Sequence, residues 1–113
     1  MKLYVGGVCQ GQEELARSEN PGCEVFADFH ETIRSAVLRD GQEPREFAQK
    51  FCEEHPEAIV VANEVGAGVV PMTREDRAFR EAVGRALCVI AQKAECVTRC
   101  VCGIGVRIKW SGF

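Results

Sequence analysis

The sequence predicts an α/β protein, a mainly parallel sheet of about four strands with helices on both faces, in one domain over residues 1–113. Three observations carry this expectation. Short apolar runs alternate with amphipathic helical stretches along the whole chain. Ala58–Ala62 (AIVVA) is a continuous apolar run, the pattern of a parallel strand buried on both faces. The connections are short, with no internal repeat and no low-complexity linker, which favours right-handed strand–helix–strand units.

Lys2–Val5 reads as the first strand, followed by a glycine-rich turn and a short helix around Glu13–Ser18. Asn20-Pro21-Gly22 is a turn signal, and Cys23–Phe29 (CEVFADF) reads as a second strand that includes Asp28. A helix around Glu31–Arg39 should stop at Asp40-Gly41. Pro44 suits the first turn of the next helix, whose Phe47, Ala48, Phe51 and Cys52 share one face and which His55-Pro56 ends. After the Ala58–Ala62 strand, Asn63–Pro71 reads as a loop. Thr73 can cap a long helix to about Lys93, with Asp76 in place of the usual glutamate of a capping box. Phe79, Ala82, Val83, Ala86 and Ile90 form its apolar stripe, and Arg74, Arg77 and Arg80 lie opposite. Cys96–Cys102 reads as the last major strand and Val106–Lys109 as a short terminal one.

Composition excludes several classes. With 46% hydrophobic and 27% charged residues the chain has the balance of an ordinary globular protein. No apolar run approaches the roughly 18 residues of a membrane span, and the start is too short in apolar residues for a secretory signal, so a cytoplasmic location is expected. The net charge of −3 argues against nucleic acid as a partner. The charge is uneven. Residues 1–57 carry six basic and twelve acidic side chains, residues 58–113 eight and five, so an anion would favour the C-terminal half. Seven cysteines are many for this length, and in a reducing compartment they are expected as small buried hydrophobes rather than disulfides or a metal site. Although Cys96, Cys100 and Cys102 cluster, with the latter two on one strand face, C-x3-C-x-C lacks paired zinc knuckles. His30 and His55 are the only histidines and are expected at the surface.

In a parallel sheet, ligands gather at the carboxyl ends of the strands, here the GGVCQGQ turn, Asp28, the NEVGAG segment and the GIG segment. The turn Gly6-Gly7-Val8-Cys9-Gln10-Gly11-Gln12-Glu13 has the framing glycines of a phosphate-binding G-x-x-x-x-G-K-[ST] loop, Gly6 and Gly11. Gly7 lies beside the first of them. Its lysine and hydroxyl positions hold Gln12 and Glu13, with Glu14 next to them. Neutral and negative side chains there weaken the attraction for a polyanion. Asp28 stands where such folds place a metal-associated acid.

Asn63, Glu64, Val65, Gly66, Gly68, Val69, Val70 and Pro71 follow the pattern N-E-V-G-x-G-[IV]-V-P. Arg77, Phe79, Arg80, Glu81, Gly84 and Arg85 follow R-x-F-R-[DE]-x-x-G-R, and Gly103, Ile104, Val106, Arg107, Ile108 and Lys109 a terminal G-[IL]-x-[VL]-[RK]-[IL]-K strand. Over residues 58–109, and more loosely over 1–38, the chain resembles the adenosylcobinamide kinase/adenosylcobinamide-phosphate guanylyltransferase family of cobalamin assembly. The resemblance implies a reduced P-loop (RecA-like) three-layer fold. It makes Gly6, Gly7, Gly11, Gln12 and Glu13 a degenerate nucleotide loop and Asp28 the metal-acid position. Asn63, Glu64, Gly66, Gly68, Arg77 and Arg80 become ligand-loop candidates. In this chain the family's phosphate-binding lysine is Gln12, its serine is Glu13, and the segment carrying its guanylylated histidine has no counterpart. Its Asn-Gln after the long helix's Gly-Arg reads Leu87-Cys88. The expectation is therefore a non-catalytic relative with no catalytic or metal-ligating residues, binding a corrinoid, a nucleotide or a partner in cobalamin metabolism. The alternatives are a residual transferase using GTP or ATP with Mg²⁺, and an oligomeric scaffold without a small ligand. Loss of a strand and helix exposes sheet edge, so a homo-oligomer is expected. A structural role for the retained motif would have Gly66 and Gly68 serve loop geometry, and Arg77 and Arg80 pair with Glu64, Glu81 or a neighbouring subunit.

Overall fold

A computed structural model describes residues 1–64 and 73–111. The elements run β1 (Lys2–Gly6), α1 (Gln12–Glu19), β2 (Val25–Phe26), α2 (Phe29–Arg34) continued by a π-helical turn Ser35–Arg39, α3 (Pro44–Glu54), β3 (Ile59–Asn63), α4 (Arg74–Lys93), β4 (Cys96–Val101) and β5 (Ile104–Trp110). The expected alternation is present, but among the described residues the sheet has five strands and is mixed. Its order is β2-β3-β1-β4-β5, with β2, β3, β1 and β4 parallel and β5 antiparallel to β4. β5 is longer than the expected Val106–Lys109 because a two-residue turn makes it the return arm of a hairpin. Cys102 (φ 51°) and Gly103 (φ 79°) both take the left-handed region that such a turn needs. Cys102 thus lies in the turn and shares no strand face with Cys100.

Residues of β1 and β3 point alternately to two cores. Leu3, Val5, Val60 and Ala62 meet Phe29 and Ile33 of α2, Phe51 of α3, and Ala82, Val83, Ala86 and Ile90 of α4. Tyr4, Ile59, Val61 and Cys100 meet Ala16 of α1. This two-sided burial explains the unbroken AIVVA run. It also follows from connectivity. From β1 the chain crosses to the far edge, whereas the β2–β3 and β3–β4 connections travel the other way. Right-handed crossovers place α1 on one face and α2–α4 on the other.

Local signals decide the helix ends. The Asp76 N–H donates to Thr73 Oγ1 at 3.0 Å, and Pro44 opens α3 behind Glu43, whose carboxylate accepts from the Glu46 N–H at 2.8 Å. Lys109 of β5 donates to the Ala91 and Gln92 carbonyls in the last turn of α4, 2.8 Å each. The second strand is shorter than Cys23–Phe29. Asp28 takes φ 51°, turning the chain so that Phe29 enters the core as the first residue of α2. The helix expected at Glu31 therefore starts two residues earlier and becomes π-helical after Arg34. The expected Asn63–Pro71 loop lies outside the described residues beyond Glu64, and Asn63 itself ends β3.

The thiols also differ from expectation. Only Cys100 is buried; Cys52 and Cys96 are half-buried, and Cys9, Cys23, Cys88 and Cys102 are exposed. Cys9 and Cys102 sit in turns that interrupt the apolar runs around them. On the α1 face, Tyr4 forms a buried polar network that has no periodic signature. Its hydroxyl donates to Glu19 Oε1 at 2.6 Å and accepts from Asn20 Nδ2 at 3.0 Å, while Asn20 Oδ1 accepts from Lys2 Nζ. Burial, and then the hydrogen bond to Glu19, push the Tyr4 pKa up to about 12.

Two outcomes are expected in urea unfolding. Thr73→Ala should cost about 1 kcal/mol and Thr73→Ser little, because only the alanine removes the cap. Tyr4→Phe should cost about 1–2 kcal/mol at neutral pH. A phenol with a raised pKa favours folding most below the ordinary tyrosine value of about 10. That contribution is lost as pH rises through about 12, and Tyr4→Phe should lack this alkaline loss.

Candidate functional site

The strands β1 and β3 are neighbours whose following helices, α1 and α4, lie on opposite faces. Their carboxyl ends are therefore the place where the connections diverge and a crevice opens. Gly6 and Asn63 are register partners at this point. A cleft of about 300 Å³ lies there, lined by Val8, Cys9, Gly11, Gln12, Glu13, Glu14, Asp28, Val61 and Asn63. Residues from the ends of β1, β2 and β3 thus meet as the parallel sheet implies.

Gln12, the first residue of α1, is 5% exposed. Its Nε2 donates to Gly7 O at 3.0 Å, Asn63 Oδ1 at 2.9 Å and Gly6 O at 3.3 Å. Two N–H hydrogens are shared among three acceptors, so the amide nitrogen is committed within the protein. The Gly6 carbonyl also accepts from the Glu64 N–H at 2.8 Å. Phosphate cradles work through backbone N–H groups. Here the first two glycines turn carbonyls toward the Gln12 side chain. A Cβ on Gly6 would lie 2.7 Å from the Cys100 carbonyl oxygen, so glycine is required for the packing of β1 on β4. Gly11 takes φ 86° as the chain enters α1.

The loop is also held from the other side. The Gly103 N–H donates to Gln10 O at 2.9 Å, and the Cys102 N–H to Gln10 Oε1 at 2.6 Å. Across the cleft, the Asn63 N–H donates to His30 Nδ1 at 3.1 Å. Accepting there leaves the imidazole proton on Nε2. His30 is 7% exposed, which corrects the expectation of a surface residue: α2 begins at Phe29 and carries the ring inward. His55 is half-buried, its ring 4.7 Å from Phe51 and 5.0 Å from Phe26.

Of the anticipated site residues, Gly11, Gln12, Glu13, Asp28 and Asn63 line the cleft, and Gly6 and Gly7 contribute carbonyls to it. Asp28 is exposed there. Glu13 pairs with Arg17 one helical turn on, at 3.0 Å. Glu64 leaves the strand end and pairs with Arg99 of β4 at 3.3 Å, and Glu81 pairs with Arg85 along α4. Arg77 and Arg80 stand on the first turns of α4 and are not among the cleft residues above. Gly66 and Gly68 lie outside the described residues. His30 and the Gln10 clasp escaped the sequence reading because no local pattern marks a hydrogen bond between distant segments. Among the described residues, no three His, Cys, Asp or Glu side chains are grouped to hold a metal ion. No helix among them is long and apolar enough to cross a membrane.

The class is an α/β fold, a mixed sheet flanked by helices, with a strand-end cleft and a glycine-rich first turn. Residues 26–108 match the cobinamide kinase / cobinamide phosphate guanyltransferase family, and the chain belongs to it. It is 46% identical over 59 residues to the bifunctional adenosylcobalamin biosynthesis protein CobU of Escherichia coli (strain K12). The same figure holds for the protein of that name from Salmonella typhimurium (strain LT2). Each match covers 51% of this chain and 33% of the relative, so the chain spans about a third of the length of these relatives. The family match begins at Phe26, and the loop Gly6–Glu13 precedes it.

His30→Ala should cost about 1–3 kcal/mol in urea unfolding, because the Asn63 N–H loses its acceptor. Hydrogen exchange at the Asn63 amide should accelerate in the variant more than at the β1 amides.

Proposed function

We propose that this chain is a non-catalytic member of its family, binding a corrinoid ligand or a protein partner in cobalamin metabolism. The observation that carries this reading is the Gln12 side chain. Its amide bonds Gly6, Gly7 and Asn63 at the place where phosphoryl transfer calls for a cation. The glycine-rich turn retains the outline of a P-loop, which supports a reduced RecA-like ancestry for the sheet. Its chemistry is reversed, with a neutral amide, the carboxylates of Glu13, Glu14 and Asp28, and no lysine or arginine among the cleft residues. These residues do not fit a magnesium–nucleotide. A polyphosphate meets carboxylates instead of the ammonium and hydroxyl that stabilise its charge. Loss of one such electrostatic donor alone costs roughly 3–4 kcal/mol of transition-state stabilisation.

GTP and ATP with Mg²⁺ should show no micromolar affinity by calorimetry. The double change Gln12→Lys with Glu13→Ser should raise affinity roughly tenfold or more, the scale of one charge-assisted contact. Micromolar binding by the unaltered chain would overturn the reading. Incubation with α-labelled GTP and Mg²⁺, then denaturation, should leave no acid-labile label. Label that disappears in His30→Asn would show a nucleophilic imidazole and an active transferase.

The same reading includes self-association. β5 is one of the two edge strands, and Ile104, Val106, Ile108 and Trp110 on it are each more than half exposed. An acidic N-terminal half and a basic C-terminal half suit head-to-tail contacts. Light scattering at about 50 μM, well above the ~1 μM scale of a moderate interface, should give a multiple of 12.4 kDa. Val106→Lys should lower it toward the monomer.

A further inference from the structure

Two exposed thiols stand at the same end of the sheet, on the two loops that Gln10 ties together. Cys9 precedes Gln10 in the loop after β1, and Cys102 is the first residue of the β4–β5 turn. Gln10 accepts from the Cys102 N–H through its side chain and from the Gly103 N–H through its backbone. The loops touch again one residue on, where a Cβ at Gly11 would lie 3.3 Å from Gly103 Cα. The remaining thiols are placed otherwise. Cys100 is buried, and burial pushes its pKa up, as it does for half-buried Cys52. Cys23 is exposed before β2 and half-buried Cys96 opens β4, both at the amino ends of the strands, and Cys88 lies in the C-terminal half of α4.

We propose that Cys9 and Cys102 form a redox-active pair, a modification site whose disulfide fastens the loop after β1 to the β4–β5 hairpin at the mouth of the cleft. A disulfide asks for Cα atoms roughly 4.4–6.8 Å apart, and the two Gln10 hydrogen bonds hold the loop that carries Cys9 against the turn that carries Cys102. The oxidant is a low-molecular-weight disulfide such as oxidised glutathione. One cysteine thiolate attacks a sulfur of that disulfide and releases one thiol. The second cysteine thiolate then attacks the protein sulfur of the mixed disulfide and releases the other. The two protein thiols lose two electrons and two protons, and the small disulfide takes up both. Cys9 also lines the cleft, so the crosslink would hold one of its walls.

The experiment treats the whole chain with oxidised glutathione, blocks remaining thiols and maps the peptides by mass spectrometry. The expected product is an intramolecular Cys9–Cys102 crosslink that dithiothreitol reverses. Because the bond closes a loop of roughly 90 residues, the melting temperature should rise by more than about 5 °C on oxidation. Cys9→Ser and Cys102→Asn should each abolish both effects. Asparagine is favoured at the left-handed position of Cys102, so that variant keeps the turn and its fold. Crosslinks elsewhere, a crosslink only between molecules, glutathione adducts without ring closure, or an unchanged melting temperature would each overturn the proposal.

Discussion

β1 is hydrogen-bonded along Lys2–Gly6 to β3 on one side and to β4 on the other, with helices against both of its faces. A strand held on four sides has no freedom to shift register, since a one-residue slip would exchange Tyr4 with Leu3 and Val5 between two different cores. Its last residue must also be small, because the Cys100 carbonyl leaves no space for a Cβ at Gly6. The loop that follows starts from a point with almost no play. The cleft, the Gln12 contacts and the approach of the β4–β5 turn all inherit their geometry from that point.

At this anchored end the competition is between a charge that would serve a ligand and an amide that serves the protein. A lysine ammonium brings a full positive charge to the strand ends, useful when a polyphosphate is bound and costly when buried without one. The carboxamide of Gln12 has no such cost. It satisfies Gly6, Gly7 and Asn63 as neutral partners, and Asn63 is held in turn by His30. A chain of hydrogen bonds therefore runs from α1 through the loop and β3 to α2. Each is worth about 1 kcal/mol net, but a buried donor or acceptor left unpaired costs more. The site has the character of an interior that happens to be open on one side, with carboxylates at its rim.

Family membership and site chemistry bear on different parts of the chain. The family match begins at Phe26 and includes β3, α4 and the β4–β5 hairpin, so it describes the scaffold that supports the cleft. Gln12, Glu13 and the Gln10 clasp precede it, and their chemistry rests on the geometry of the loop itself. A scaffold shared with the family does not fix the task, because function resides in the side chains that face a ligand and not in the sheet.

The sequence by itself determined the succession of strands and helices, the two-sided burial of Ala58–Ala62, the Thr73 cap, the Pro44 helix start and the strand-end location of Gly6, Gly11, Asp28 and Asn63. These are local matters of period, backbone restriction and the hydrogen bonds that a few adjacent residues can make. Only the tertiary structure decided that β5 returns antiparallel, that Phe29 and His30 turn inward behind a left-handed Asp28, and that Cys9 and Cys102 face solvent. The same holds for the contacts that give the cleft its character. Gln12 meets Asn63 across 51 residues, His30 meets Asn63 across 33, and Gln10 meets Cys102 across 92. No periodicity encodes such pairs. They form because burial of two separate cores brings the strand ends together, where polar groups of distant segments come within hydrogen-bond reach of one another.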